Sequence, residues 1–226
     1  MGMLLLIVGD HDPEPLRSVL NGVTTVTVPA RPERAELNAA LDRLGTDRLV
    51  VAADDAGLGE VVRRLMRLDR LGSTEIAVLP MAGPGRVRAR AGLPADLTAA
   101  AAVARDGRPV GQGLVRDDHG GVALGQASLL PTTGETLGMR AYVDEHELVD
   151  ARVTGLTVTP RPDGLSAAVE VPRRLRRTDH RERTGRAVTV SCEEARLVSD
   201  GVERGSLQSR CTWWFEPDRW HLVLPT

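Results

Sequence analysis

Apolar and polar positions change period twice along this chain. Met3 to Val8 is a continuous apolar run closed by Gly9-Asp10, the signature of a strand buried on both faces of a parallel sheet. Val23 to Val28 is β-branched and predicts a second strand, and Leu49 to Ala52 and Ile76 to Leu79 predict a third and a fourth. Between them, Arg34 to Leu44 places Leu37, Leu41 and Leu44 on one helical stripe ended by Gly45, and Leu58 to Leu68 is strongly amphipathic. Strands alternating with helices at these spacings predict parallel βαβ units, with any site at the carboxyl ends of the strands. The segments to read for chemistry are therefore 9–13, 53–60 and 80–92.

The Ala-rich stretch from Leu97 to Arg105 predicts one more helix, and after Asp106-Gly107 the period becomes that of short strands separated by turns. Strands are expected at Val110–Val115, Val122–Ala127, Arg140–Val143, Val153–Val158, Ser166–Val171, Ala187–Val190 and Trp220–Leu224. The expected architecture is an α/β fold: an amino-terminal parallel-sheet lobe over 1–98 and a carboxyl-terminal β-sandwich over 99–226, with a cleft between them.

Composition narrows the chemistry. The 226 residues carry a formal net charge of -2, so no broad positive field is available to hold nucleic acid, and contact with an anionic membrane would be peripheral and local. Every basic residue apart from histidine is arginine; the absence of lysine excludes Schiff-base chemistry and a lysine-dependent phosphate loop. Cys192 and Cys211 are too few for a disulfide framework, and neither pairs with His11, His119, His146, His180 or His221 at a zinc-ligand spacing, so no zinc site is expected. Met3–Val8 is too short for a signal-peptide core or a transmembrane span, which predicts a cytoplasmic protein. The arginine-rich run 173–186 reads as a solvated loop with the alternative of touching anionic lipid head groups. The cluster Trp213, Trp214, Phe215 and Trp220 reads as sheet core with the alternative of a partner surface.

The stretch Val50-Val-Ala-Ala-Asp-Asp-Ala-Gly-Leu-Gly-Glu-Val-Val62 runs from strand through short loop to helix, where a phosphate would meet a helix amino terminus. Here the chain resembles the diacylglycerol kinase and NAD kinase superfamily, which carries Gly-Gly-Asp-Gly-Thr-Leu-Asn-Glu at this place; the matching positions include Asp54, Asp55, Gly57 and Glu60. A second signature of that family, Pro-Leu-Gly-Thr-Gly-Asn-Asp-Phe-Ala-Arg followed by Gly-Leu-Pro, falls on Pro80 to Ala89 and Gly92-Leu93-Pro94. Its Asp-Gly-Glu near the carboxyl end resembles Asp200-Gly-Val-Glu203 here, and the order of elements after Ala99 is similar to the bacterial lipid kinases. The resemblance implies an ATP- and Mg²⁺-dependent transfer of phosphate to a lipid hydroxyl, with Asp200 and Glu203 as catalytic groups. It also implies Asp54, Asp55, Gly57, Glu60, Gly83, Gly85 and Arg86 at the nucleotide and Asp55 on the metal.

The departures are specific. Asp54 replaces a glycine, placing a carboxylate where phosphate oxygens would lie, and two like charges about 4 Å apart repel by roughly 4 kcal/mol at an effective dielectric of 20. Gly83, Gly85 and Arg86 stand where the family carries polar side chains, with Arg86, Arg88 and Arg90 as an alternative phosphate clamp; Asp200 and Glu203 are one residue further apart than in the family. Three readings follow: a catalytically degraded lipid-kinase homologue that binds a lipid, nucleotide or protein partner; an active lipid kinase with divergent motifs; and an interaction module, a homodimer among its forms.

Overall fold

A computed structural model describes residues 2–45, 48–81, 85–173, 177–207 and 209–226. The chain forms two compact units, 1–112 with 218–226 and 113–217. The expected division at 98/99 shifts toward the carboxyl end because helix α5, Leu97–Asp106, and the start of strand β5, Arg108–Asp117, belong to the first unit. Helix α5 lays Ala100, Ala101 and Ala104 into that unit's core.

In the first unit β1 (Met3–Val8), β2 (Thr24–Val28), β3 (Arg48–Ala52) and β4 (Glu75–Leu79) pair in parallel in the order β2-β1-β3-β4. A fifth parallel neighbour is supplied by the end of β16 (Arg210–Leu224), where His221 and Leu222 pair with Glu75 and Ile76. Leu5, Ile7, Val50, Ala52, Ala77 and Leu79 form one buried layer with Leu16 and Leu20, and the alternate residues Leu4, Leu6, Leu49 and Val51 are buried too, which explains the unbroken apolar reading of β1 and β3. Helices α2 (Arg34–Leu41) and α3 (Asp55–Arg67) match the two periodic stripes. Two further helices, α1 (Pro13–Val19) and α4 (Arg86–Arg90), occupy segments where the hydrophobic pattern predicted no helix.

The second unit is a sandwich. One layer runs β9 (His146–Val153), β8 (Leu137–Val143), β13 (Ala187–Cys192) and the first part of β16, all antiparallel, with β5 paired to the short β6 (Val122–Ala123). The other runs β12 (Thr178–Gly185), β11 (Gly164–Pro172), β10 (Leu156–Arg161), β7 (Ala127–Pro131), β14 (Ala195–Ser199) and β15 (Val202–Leu207). Leu129, Val158, Leu165 and Ala195 from one layer and Ala141, Val149, Val190 and Trp213 from the other share a single core. In β16, Cys211, Trp213 and Phe215 alternate inward and Trp220 is buried as well, so three of the four clustered aromatics are core. A Cβ on Gly113 would lie 2.0 Å from the Phe215 ring, so that ring requires glycine beneath it. The segment expected as an arginine-rich loop is β12, an edge strand paired to β11 throughout; its Arg174 to Arg176 flank lies outside the described residues. Among the described residues no helix is long and apolar enough to cross a membrane.

Candidate functional site

In the first unit the chain leaves β1, β3 and β4 at their carboxyl ends and enters a helix each time. Gly9, at φ 107°, closes β1, and Asp12 caps α1 by accepting from Glu14 N at 3.0 Å, with Pro13 at the first helical position. After β3, Asp54 caps α3: its Oδ1 accepts from Gly57 N at 2.8 Å. Asp55 begins that helix but reaches the next one, its Oδ2 accepting from Arg86 N at 2.7 Å and its Oδ1 from Val87 N at 3.3 Å. One aspartate therefore caps α1, one caps α3, and a third binds the opening amides of α4.

These contacts assign physical roles to the expected nucleotide residues. Asp55 is buried; burial raises its pKa most, the two amide bonds pull it back, the neighbouring Asp54 carboxylate raises it further, and the balance is upward. A Cβ at Gly57 would stand 3.0 Å from Ala53 Cβ and 3.0 Å from Val8 Cγ1, so this glycine brings α3 close to the sheet. Glu60 forms an ion pair with Arg63 one turn along the same helix. Gly85 is the residue before α4, and Gly83, with Ala82 and Pro84, lies outside the described residues. Because 86–90 is helical, Arg88 does not share a face with Arg86 and Arg90; its guanidinium is turned back over Gly85 and toward Leu93 O. Among the described residues no His, Cys or third carboxylate joins Asp54 and Asp55 in a metal-ligating group.

Asp200 and Glu203 fall in the second unit, at the β14–β15 hairpin. Asp200 has φ 51°, and its carboxylate accepts from Leu124 N (2.9 Å), Gly125 N (2.7 Å) and Gln126 N (2.9 Å), while its own N–H donates to Gln126 O at 2.8 Å. Glu203 is exposed and pairs with Arg196 at 3.3 Å. The two acidic residues thus hold different partners, one a backbone turn and the other a neighbouring strand. The sequence signal for Asp12 was available, since Asp followed by Pro is a helix start; the amide partners of Asp55 and Asp200, 31 and 74 to 76 residues distant, leave no local signal.

No family model matches the chain, and no curated protein matches it. Solved structures do. A diacylglycerol kinase from Bacillus anthracis str. Sterne superposes with a TM-score of 0.75 over 99% of this chain and 96% of its own, at 14% identity. An NAD kinase from Archaeoglobus fulgidus, solved in complex with ATP, gives 0.60 over 99% and 93% at 16% identity, and yeast NADH kinase complexed with NADH gives 0.62 over 100% and 84% at 11%. Likeness at these identities establishes the fold, an α/β unit followed by a β-sandwich as in these kinases, along the whole chain.

Proposed function

We propose that this chain is a diacylglycerol-kinase-fold protein, a lipid-kinase homologue that has lost phosphoryl transfer and acts by binding a ligand or partner. The observation that carries the reading is the row of aspartates at the helix starts. Helix amino termini bind phosphate through free N–H groups and a positive dipole end. Here Asp12, Asp54 and Asp55 carboxylates already accept from Glu14, Gly57, Arg86 and Val87 amides, satisfying donors internally and placing negative charge where phosphate oxygens would come.

ATP with Mg²⁺, the pair the resemblance implies, does not fit these residues. Each Asp55 oxygen already accepts a backbone N–H, which competes with a metal ion for the carboxylate. The polar side chains of the family's second signature are replaced by glycine and arginine. Asp200 accepts from three amides and serves the turn 124–126.

Thermal unfolding with and without millimolar Mg-ATP tests the reading, because a ligand at a hundred times its dissociation constant stabilises a fold by about 2.7 kcal/mol. The expected result is an unchanged midpoint and no transfer of labelled phosphate to a lipid extract. A Mg²⁺-dependent upward shift together with labelled lipid, lost in Asp55→Ala, would overturn it in favour of an active kinase with divergent motifs.

A further inference from the structure

The turn joining β5 to β6 in the second unit is built with unusual economy of freedom. Asp117 is 2% exposed, and its Oδ1 accepts from His119 N at 2.9 Å and from Gly121 N at 2.7 Å. A Cβ on Gly121 would come within 2.2 Å of Asp117 Oδ2, so the turn tolerates no side chain there. The next residue, Asp118, is fastened to β16: its N–H donates to Thr212 O at 3.1 Å, and its Oδ2 accepts from Thr212 N at 3.1 Å across 94 residues of sequence.

That fastening puts Asp118 beside Cys211. The Cys211 thiol lies within 4.8 Å of an Asp118 carboxylate oxygen, and His119 Nδ1 lies 2.9 Å from Asp118 Oδ1. One ligand atom from each of Asp118, His119 and Cys211 lies within 4.8 Å of the other two. Zinc bonds of about 2.0–2.3 Å hold tetrahedral donors roughly 3.5 Å apart, a gap that small rotations of the exposed Asp118 and His119 side chains close. The histidine and cysteine spacings predicted no zinc site because these ligands meet only when β16 passes the turn.

We propose that Asp118, His119 and Cys211 form a binding site for a zinc-type divalent cation. The donor set decides the class: a thiol and an imidazole select borderline and soft cations over Mg²⁺ and Ca²⁺, which prefer all-oxygen shells. Cys211 forms the buried floor and Asp118 and His119 the exposed rim, which leaves a fourth coordination position open to water. Binding replaces the thiol proton, which leaves to solvent, with the cation. The buried Asp117 keeps the turn in shape beneath the ligands. The ion then bridges the β5–β6 turn and β16.

Full-length protein made without a histidine tag and stripped with chelator would be titrated with Co²⁺ and followed by absorption, then challenged with Zn²⁺. One equivalent of Co²⁺ is expected to give a thiolate charge-transfer band and tetrahedral ligand-field bands, both displaced by Zn²⁺. Cys192→Ser should leave the spectrum unchanged, and Cys211→Ser should abolish the charge-transfer band. Because Cys211 is a core residue, the exposed variants His119→Ala and Asp118→Asn provide a second arm, each weakening Zn²⁺ binding about tenfold or more with the circular dichroism unchanged. Absence of the band in the unaltered chain, its loss with Cys192→Ser, or full affinity in His119→Ala would each overturn the proposal.

Discussion

Asp55 sits where two demands on a carboxylate conflict. Burial and the adjacent Asp54 push its pKa up while the Arg86 and Val87 amides pull it down, and the net shift is upward. The folded protein therefore keeps this proton to higher pH than the unfolded chain does. Stability from this group is fully present in acid and is lost as pH rises from the ordinary carboxylate range through the raised value. Asp55→Asn cannot titrate. In urea unfolding, the stability advantage of the native chain over Asp55→Asn should be largest in acid and shrink toward neutrality; an advantage that grows with pH would show the pKa to be lowered by folding. Asp55→Ala, which leaves the α4 amides without acceptors, should cost about 1–3 kcal/mol in the same measurement.

Arg48 acts on whole elements. It opens β3 at 5% exposure, reaches Glu75 at the start of β4 with Nε and Nη2 (2.9 and 2.8 Å), and gives Nη1 to Ala104 O (2.7 Å) and Arg105 O (3.2 Å) and Nη2 to Gly107 O (3.1 Å). A single guanidinium thus joins two strands and satisfies the last carbonyls of α5, which have no partners within the helix. Arg48→Met should destabilise the protein by about 3–5 kcal/mol, since it strands Glu75 and the carbonyls together, and Arg48→Met with Glu75→Met should recover part of that loss. Chemical denaturation of the three variants tests this, and a single-variant cost under about 1 kcal/mol would refute it. Arg48 also marks a limit of pattern reading. The strands at 3–8, 49–52 and 76–79 and the stripes of α2 and α3 were legible because burial sets an apolar period. An arginine at a strand start reads as loop until its distant carbonyls are known. Helix α1 escaped because seven residues with two prolines make no stripe. Strand β12 escaped because its alternation sets charge against charge, and only its ladder with β11 makes it a strand. At the candidate site, the strand-to-helix position of Asp54, Asp55 and Gly57 could be read locally, whereas the amides that Asp55 and Asp200 bind come from a remote helix start and a remote turn.

At the scale of the whole molecule, an open sheet edge is a hazard, and β12 is one edge of the six-stranded layer. Its residues are charged and paired along the surface: Asp179 with Arg173 and Arg181, and Glu182 with Arg161. Each exposed pair is worth little to stability, so their value lies in keeping a second strand from docking. Replacing Glu182 and Arg183 together with valine should leave the melting temperature nearly unchanged and produce concentration-dependent association in size-exclusion chromatography with light scattering. A variant that stays at the mass of the native chain would place the protection elsewhere.

Strand β16 begins in the second unit and ends in the first, where residues 218–226 give β4 its outer neighbour. Ribosomal synthesis runs in one direction, at about 5–20 residues per second. Strands β1 to β4 and helices α1 to α5 of the first unit all emerge before the sandwich is made, yet the piece that covers β4 arrives after the sandwich is complete. For the seconds in between, the nascent chain presents the Glu75–Ile76 edge unpaired, so the moment of greatest exposure to chaperones and to neighbouring chains is written into the order in which its strands are translated.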